Sequence, residues 1–260
     1  MRGQYQITKA NKLIQTAAFS LTSLEYDLLN FIIMKIKPED TELKPQEIQI
    51  QEFCRVAGIS DKDNYTLIKN SLKNLADKSV WAVVEENASG KKTEQLVRWI
   101  EDPRIEPGKV IVQLKKYWCP YLLDLKERYT TLLIQETFPM KSIYGKRIYE
   151  ILKSYIICNA STHAKTVTFE IDELKRILFG EKEYRKKYQD VSNFRKRVLE
   201  PAMKDLSMYG DLNVSYRLRK DGYSYRYIDF TVLVRNLDER IEVWEKEKSH
   251  FTVSKKRNDI

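Results

Sequence analysis

From Phe194 to Leu206 the apolar and charged positions separate onto two sides of a helix. At 100° per residue, Phe194, Val198, Ala202, Met203 and Leu206 fall on one side, while Asn193, Arg197 and Lys204 fall opposite. One side packs and the other is free to face a groove. Tyr209-Gly210-Asp211 then reads as a helix stop. Beyond it Leu212–Leu218 and Tyr223–Val234 alternate apolar and polar residues around Lys220-Asp221-Gly222, and an Asp-Gly between alternating segments signals a hairpin. A basic amphipathic helix followed by a two-stranded ribbon predicts a winged-helix domain, which presents a recognition helix to the major groove and a wing beside it.

The pattern occurs twice. Ile48, Ile50, Phe53 and Val56 match Phe169, Ile171, Leu174 and Ile177 at a constant offset of 121, each set reading as a short strand that enters a short helix. Leu72, Leu75 and Val83 match Met203, Leu206 and Val214 at an offset of 131, so the second copy carries ten extra residues, assigned to the basic stretch Glu181–Asp190. A repeat unit this long indicates a duplicated domain; a solenoid would repeat every ~20–50 residues. The predicted fold class is therefore α+β, with two tandem winged-helix domains related by internal duplication.

In the first copy Gln4–Lys9 reads as a strand and Asn11–Ala17 as a short helix. Thr22–Lys37 reads as a long helix stopped by Pro38, with Leu24, Leu28, Ile32 and Ile36 as its core stripe, widened by Phe31 and Ile33. Asp61–Asp77 is the first candidate recognition helix, with Tyr65, Ile68, Leu72 and Leu75 inward and Thr66, Lys69, Asn70 and Lys73 outward. Trp81–Glu86, Leu96–Glu101 and Lys109–Leu114 supply strands of a less basic wing or small sheet, and Trp118–Lys126 a closing helix. The pattern changes around Thr130–Pro139 to a long helix over Lys141–Ile157. This divides the chain into an N-terminal domain 1–136, a C-terminal domain 137–236 and a charged tail 237–260. The tail is expected to form two helical turns over Leu237–Trp244 and to end in a frayed basic Lys255-Lys256-Arg257.

Composition sharpens this picture. The 260 residues suffice for two domains with their own cores, and 42% apolar content argues for a folded chain. No apolar run approaches the ~20 residues of a membrane span, and Lys9, Asn11, Lys12 and Gln15 interrupt any secretory core near residue 1, so a cytoplasmic location is expected. Cys54, Cys119 and Cys158 are odd in number and dispersed among apolar or aromatic neighbours, as buried reduced thiols would be. Net charge is +9, and it is concentrated: eight basic and three acidic residues lie over Lys182–Lys204, four and one over Tyr216–Arg226. A basic helix and a basic hairpin together form an electrostatic footprint for phosphates.

Catalytic chemistry finds no anchor. A rolling-circle initiator or relaxase needs a nucleophilic tyrosine and a metal held by closely placed histidines, whereas the only two histidines, His163 and His250, stand far apart. There is no GxxxxGK[ST] phosphate loop and no carboxylate cluster suited to two-metal chemistry. A non-enzyme without cofactor or metal is expected, and a tandem winged-helix transcriptional repressor fits the same residues.

SIYGKRIYEILKSY, FEIDELKRILFG and FRKRVLEPAMKDL followed by DLNVSYRLRKDGYSYRYIDFTV, in that order, strongly resemble plasmid replication initiator proteins of the iteron-binding type; ITKANKLIQTAAFSLTSLEYDLLNFII is similar to their opening segment. The resemblance covers residues 5–235. It implies binding to direct repeats in double-stranded origin DNA, origin melting and recruitment of the host replicative helicase and initiator proteins. It also implies a homodimer, in equilibrium with monomer, that represses its own promoter. By position, Asn193, Arg195, Lys196 and Arg197 resemble the major-groove segment, and Arg217, Arg219, Lys220 and Arg226 the wing contacts, with Lys204 on the same helix. Arg can pair bidentately with guanine and Asn with adenine. Helical angle turns Arg195 toward the packed side, where its stem could line the core edge, and Pro201 predicts a kink after Glu200, beyond the basic triplet. In the first domain Thr66, Lys69, Asn70 and Lys73 would face a second groove. The tyrosines of the second wing, Tyr216, Tyr223, Tyr225 and Tyr227, read mainly as sheet and packing residues.

Overall fold

The structure is a computed structural model that describes residues 5–37, 39–59, 61–86, 92–156 and 164–256. The chain divides into two compact units, Ile7–Thr131 and a second formed by Leu132 onward together with the first residues up to Gln6. Residues 132–136 fall with the second unit, where Glu136 meets Tyr149 and Lys153.

In the first unit β1 (Gln6–Ala10) pairs with β7 (Tyr129–Leu133), and α1 (Asn11–Thr16) follows β1 directly. Next comes α2 (Ser23–Met34), started by a capping box in which Glu25 N donates to Thr22 Oγ1 (3.2 Å) and Thr22 N donates to a Glu25 carboxylate oxygen (2.7 Å). Glu25 also holds the Lys78 ammonium. The helix is buried all round from Glu25 to Ile33, wider than the expected stripe, whose end members Leu24 and Ile36 are only half-buried. It ends three residues before Lys37, because the chain tightens at Lys35 and Ile36 through N–H bonds to Ile32 and Ile33 carbonyls. There Lys35 ion-pairs Glu52 at 2.7 Å; Pro38 lies outside the described residues.

Strand β2 (Gln46–Gln49) enters α3 (Ile50–Ala57), and α4 (Asp61–Asp77) follows over the expected span. The next segment departs from expectation. Strands β3 (Ser79–Glu86) and β4 (Lys92–Arg98) form a separate antiparallel hairpin, and only β5 (Ile100–Glu106) and β6 (Lys109–Leu114) join β2, in the order β2-β6-β5. The run predicted as one strand from Leu96 to Glu101 breaks at buried Trp99, whose indole stacks on Trp118 at 4.4 Å. The predicted helix Trp118–Lys126 is only α5 (Cys119–Leu122), preceded by a tight turn over Lys116–Trp118. Asp124 (φ 48°) and Arg128 (φ 51°) then adopt left-handed backbone, which no helix of L-residues continues through. Cys54 is buried but Cys119 only half-buried, both unbridged; Cys158 lies outside the described residues.

In the second unit α6 (Ile134–Thr137) leads to α7 (Ile143–Tyr155), capped when Gly145 N donates to Ser142 Oγ at 3.3 Å. Then follow β8 (Lys165–Glu170), α8 (Ile171–Phe179), α9 (Val191–Phe194), α10 (Glu200–Met208), β9 (Leu212–Asp221), β10 (Ser224–Val234) and α11 (Leu237–Lys256). The antiparallel sheet has the order β8-β10-β9. This matches β2-β6-β5, so the two units share a strand–helix entry and a three-stranded sheet; α3 and α8 start 121 residues apart, at Ile50 and Ile171. Val83, paired by sequence with Val214, lies instead in the inserted hairpin, and by sheet order β5 holds the place of β9. The tail is a helix to Lys256, longer than two turns, with Arg257 outside the described residues.

The second core is held by Phe194, Val198, Leu199, Ala202 and Leu206 against α7 and by Phe169 and Phe230 across the sheet, all buried; each large apolar side chain contributes roughly 1.5–3 kcal/mol. Into this core intrudes a charged cluster. Lys153 Nζ donates to Glu136 (3.0 Å), Asp211 (2.9 Å) and Tyr149 Oη (2.9 Å). Tyr149 Oη lies 2.8 Å from Glu136 and 2.7 Å from Asp211, and its one hydrogen serves only one carboxylate at a time. Burial raises the tyrosine pKa well above its ordinary value, as do the two carboxylates. Burial opposes ionisation of Asp211, yet the Lys153 ammonium and the hydrogen bonds from Tyr149 and Lys153 hold it below the usual carboxylate range. Gly210 (φ 78°) lies so close to the Tyr149 ring that a Cβ would come within 2.7 Å of it.

Two outcomes follow. Lys153→Met leaves buried Glu136 and half-buried Asp211 without their cation, and urea unfolding should show a loss of about 3–5 kcal/mol; a loss below ~1 kcal/mol would remove the cluster from the stability account. Because Asp211 has a depressed pKa in the folded state, its contribution is present above the unfolded value near ~3.9 and is lost as pH falls through the folded one. The stability gap between the parent chain and Asp211→Asn should therefore be full at neutral pH and close progressively below about pH 4, as measured by thermal melts across that window.

Candidate DNA-binding interface

The candidate recognition helix of the second unit begins at Asp190, whose carboxylate accepts from Ser192 N and Asn193 N, each at 3.2 Å. Between α9 and α10 the residues Arg195–Leu199 form a π turn, in which Glu200 N donates to Arg195 O, five residues back. The expected kink after Glu200 is thus replaced by a wider turn before Pro201, made of the basic triplet itself. Proline removes one N–H donor and crowds the preceding turn, and i→i+5 winding lets the helix continue past it. The same turn buries both Val198 and Leu199 and leaves Asn193, Arg195, Lys196 and Arg197 exposed. Arg195, whose helical angle pointed inward, reaches Glu200 at 3.3 Å on the surface instead. Lys204, one further turn along, is also exposed.

At the far end of the helix, buried Arg235 donates to the carbonyls of Leu206 (2.8 Å), Ser207 (2.9 Å) and Gly210 (3.1 Å). The first two are otherwise orphan acceptors of the helix C-terminus, so the guanidinium ties α10 to the end of β10. No local sequence signal singles out this residue.

The β9–β10 hairpin closes through Gly222 (φ 64°) and the fully exposed Tyr223. Arg226 is the extra residue of a bulge between Tyr225 and Tyr227, which re-aims its side chain to Asp221 (3.0 Å) and Glu170 (3.4 Å). On the neighbouring positions Asp229 collects Arg219 (3.2 Å), Arg217 (3.8 Å) and the Thr168 hydroxyl (2.8 Å). The Arg219 hydrogen bond, then that from Thr168, holds the Asp229 carboxyl below its ordinary range. The aromatic rings carry cations: Arg219 lies 4.4 Å from the Tyr227 ring centroid and Lys220 5.1 Å from that of Tyr225, while Tyr216 packs near Phe230. All four expected wing cations are exposed, yet the three arginines are already paired with carboxylates of the sheet. Sequence reasoning missed Asp229 and Glu170, since cross-strand register decides those pairs.

In the first unit Ile68, Leu72 and Leu75 of α4 are buried, with Tyr65 half-buried and donating to Glu106 O at 3.3 Å. Thr66, Asn70 and Lys73 are exposed and Lys69 half-buried. Its hairpin turns at Gly108 (φ 78°), and the cations there are engaged: Lys109 with Glu47 (2.8 Å) and Arg104 with Glu106 (2.9 Å).

Among the described residues no three His, Cys, Asp or Glu side chains gather as a metal cluster, and no helix is long and apolar enough to cross a membrane. His163 and the His250 side chain lie outside what is described.

Comparison with known proteins agrees with this architecture. The family described as initiator replication protein, WH1, matches residues 6–153, and that described as initiator Rep protein, WH2, matches residues 170–232. The crystal structure of Pi initiator protein in complex with iteron DNA is similar in fold, with a TM-score of 0.68 at 17% identity over 91% of this chain and 100% of that one. Two tandem winged-helix domains in this order, matched along most of the sequence, place the chain in the initiator replication (Rep) protein family.

Proposed function

We propose that this protein initiates plasmid replication by binding direct repeats in double-stranded origin DNA, with the α9–α10 helix reading bases and the β9–β10 hairpin gripping the backbone. The observation that carries this reading is a contiguous exposed set, Asn193, Lys196, Arg197 and Lys204, on a helix whose opposite side is buried. Lys196, Arg197 and Lys204 have no carboxylate within ion-pair distance among the described residues, so their charge is available to DNA. The iteron complex of the similar Pi initiator supports repeats as the target. Domains 1–136 and 137–236 are assigned auxiliary contact with dimerisation and main sequence reading, respectively. Thr66, Lys69, Asn70 and Lys73 supply the auxiliary contacts.

In this scheme monomers bind repeats cooperatively in the cytoplasm, origin DNA melts nearby, and the host helicase and initiator proteins are brought in. A dimer on the operator represses the protein's own promoter. The protein itself performs no catalysis; its contribution is binding energy applied to DNA.

At ~150 mM salt, where non-specific affinity is weakened, DNA flanking the coding region should give a ladder of discrete complexes on direct repeats that shuffled DNA does not. A single complex on an inverted repeat with no ladder would assign the chain to dimeric repression instead. Arg197→Ala should weaken repeat binding by about 1–3 kcal/mol more than random-DNA binding, whereas Lys220→Ala should weaken both alike and lower the salt slope by about 0.9. Equal losses on both DNAs for Arg197→Ala, in titrations at matched salt, would remove it from base reading.

A further inference from the structure

The ten residues Glu181–Asp190 that the second copy carries beyond the first connect α8 to the recognition helix. They form no regular helix or strand, yet they are held in place. Glu183 N and Tyr184 N each donate to Gly180 O at 3.2 Å, and Lys186 N and Lys187 N donate to Glu183 O at 3.0 and 2.9 Å. Tyr188 adopts φ 51°. Its ring lies 5.5 Å from Phe179, which also meets Tyr144 edge-on at 5.4 Å. Phe179 in turn meets Phe194 of the recognition helix edge-on at 6.3 Å. The loop is therefore fixed relative to the helix it precedes, at the end where groove-reading helices make their base contacts.

We infer that this loop is a phosphate-binding element, gripping the sugar-phosphate backbone of double-stranded DNA beside the recognition helix through Lys182, Lys186 and Lys187. The inference rests on the DNA-binding reading above. Two features carry it. First, no carboxylate among the described residues lies within ion-pair distance of these three ammonium groups, while the loop's own Glu181 is turned to Arg176 (3.7 Å) and Asp190 caps α9. Secondly, the wing arginines Arg217, Arg219 and Arg226 are all paired across the sheet. A phosphate taking them must displace a carboxylate, whereas one meeting the loop lysines displaces only water and counterions. In helix-turn-helix docking the first helix crosses the backbone and the recognition helix enters the groove N-terminus first, so a loop that joins the two lies beside the phosphates.

The test compares the full chain with its Lys182→Gln/Lys186→Gln/Lys187→Gln variant, by fluorescence anisotropy on a repeat-bearing duplex and on a shuffled duplex between 50 and 200 mM salt. Three lost phosphate contacts should flatten the slope of log affinity against log salt by about 2–3 on both duplexes, so that the variant loses about 40-fold less affinity over that range. Its ratio of repeat to shuffled binding should stay unchanged. Lys186→Gln alone should flatten the slope by about 0.9, which keeps the test informative if the triple variant folds poorly. An unchanged slope alongside a loss of discrimination in Arg197→Ala would overturn the loop's role and leave the DNA reading intact. Absence of measurable binding of the parent chain to either duplex at 50 mM salt would overturn both.

Discussion

Lys153 is an ammonium buried between two carboxylates, and its position decides where the rest of the second domain's working surface stands. One carboxylate, Glu136, belongs to the short helix that opens the domain; the other, Asp211, belongs to the turn between the recognition helix and the wing. Tyr149 bridges both, and its ring leaves no room for a side chain at Gly210. Desolvating three charged groups is costly unless each is met by the others, so the cluster tolerates little displacement. It thereby fixes the end of α10 and the start of β9 against α7. Arg235 completes the arrangement from the other side, holding three carbonyls at the end of the recognition helix.

With the frame fixed, the exposed cations fall into two classes. Those of the hairpin are preset by neighbours: Asp229 gathers Arg217 and Arg219, and the bulged Arg226 spans Asp221 and Glu170. Exposed ion pairs of this kind contribute little to stability, but they orient long side chains that would otherwise sample many rotamers. Those of the helix, Lys196, Arg197 and Lys204, and Lys182, Lys186 and Lys187 of the loop ahead of it have no carboxylate within ion-pair distance among the described residues. Pro201 contributes to this division, because the π turn that accommodates it carries the basic triplet and turns Arg195 outward to Glu200.

The duplication shows how one topology is adapted. Both units pass from a short strand into a helix at equivalent points and close a three-stranded sheet with the same order. The first adds the β3–β4 hairpin after its long helix and neutralises its wing cations with Glu47 and Glu106. The second adds a basic loop before its recognition helix instead.

What the sequence determined by itself was whatever depends on local periodicity. The span Asp61–Asp77, the amphipathic face from Phe194 to Leu206, the Asp-Gly hairpin and the 121-residue repeat are all set by spacing along the chain, and spacing survives without knowledge of neighbours. Tertiary structure decided the features that need a partner distant in sequence. Trp99 breaks a run of strand residues because Trp118 stacks on it, the closing helix after Trp118 stops short where Asp124 turns left-handed, and Lys153 becomes a buried hub because Glu136 and Asp211 converge there. Likewise the exposed positions of Arg197 and Lys204 were legible, but that of Arg195 and which cations are already paired were not, because cross-strand register and a widened helical turn bring those carboxylates within reach.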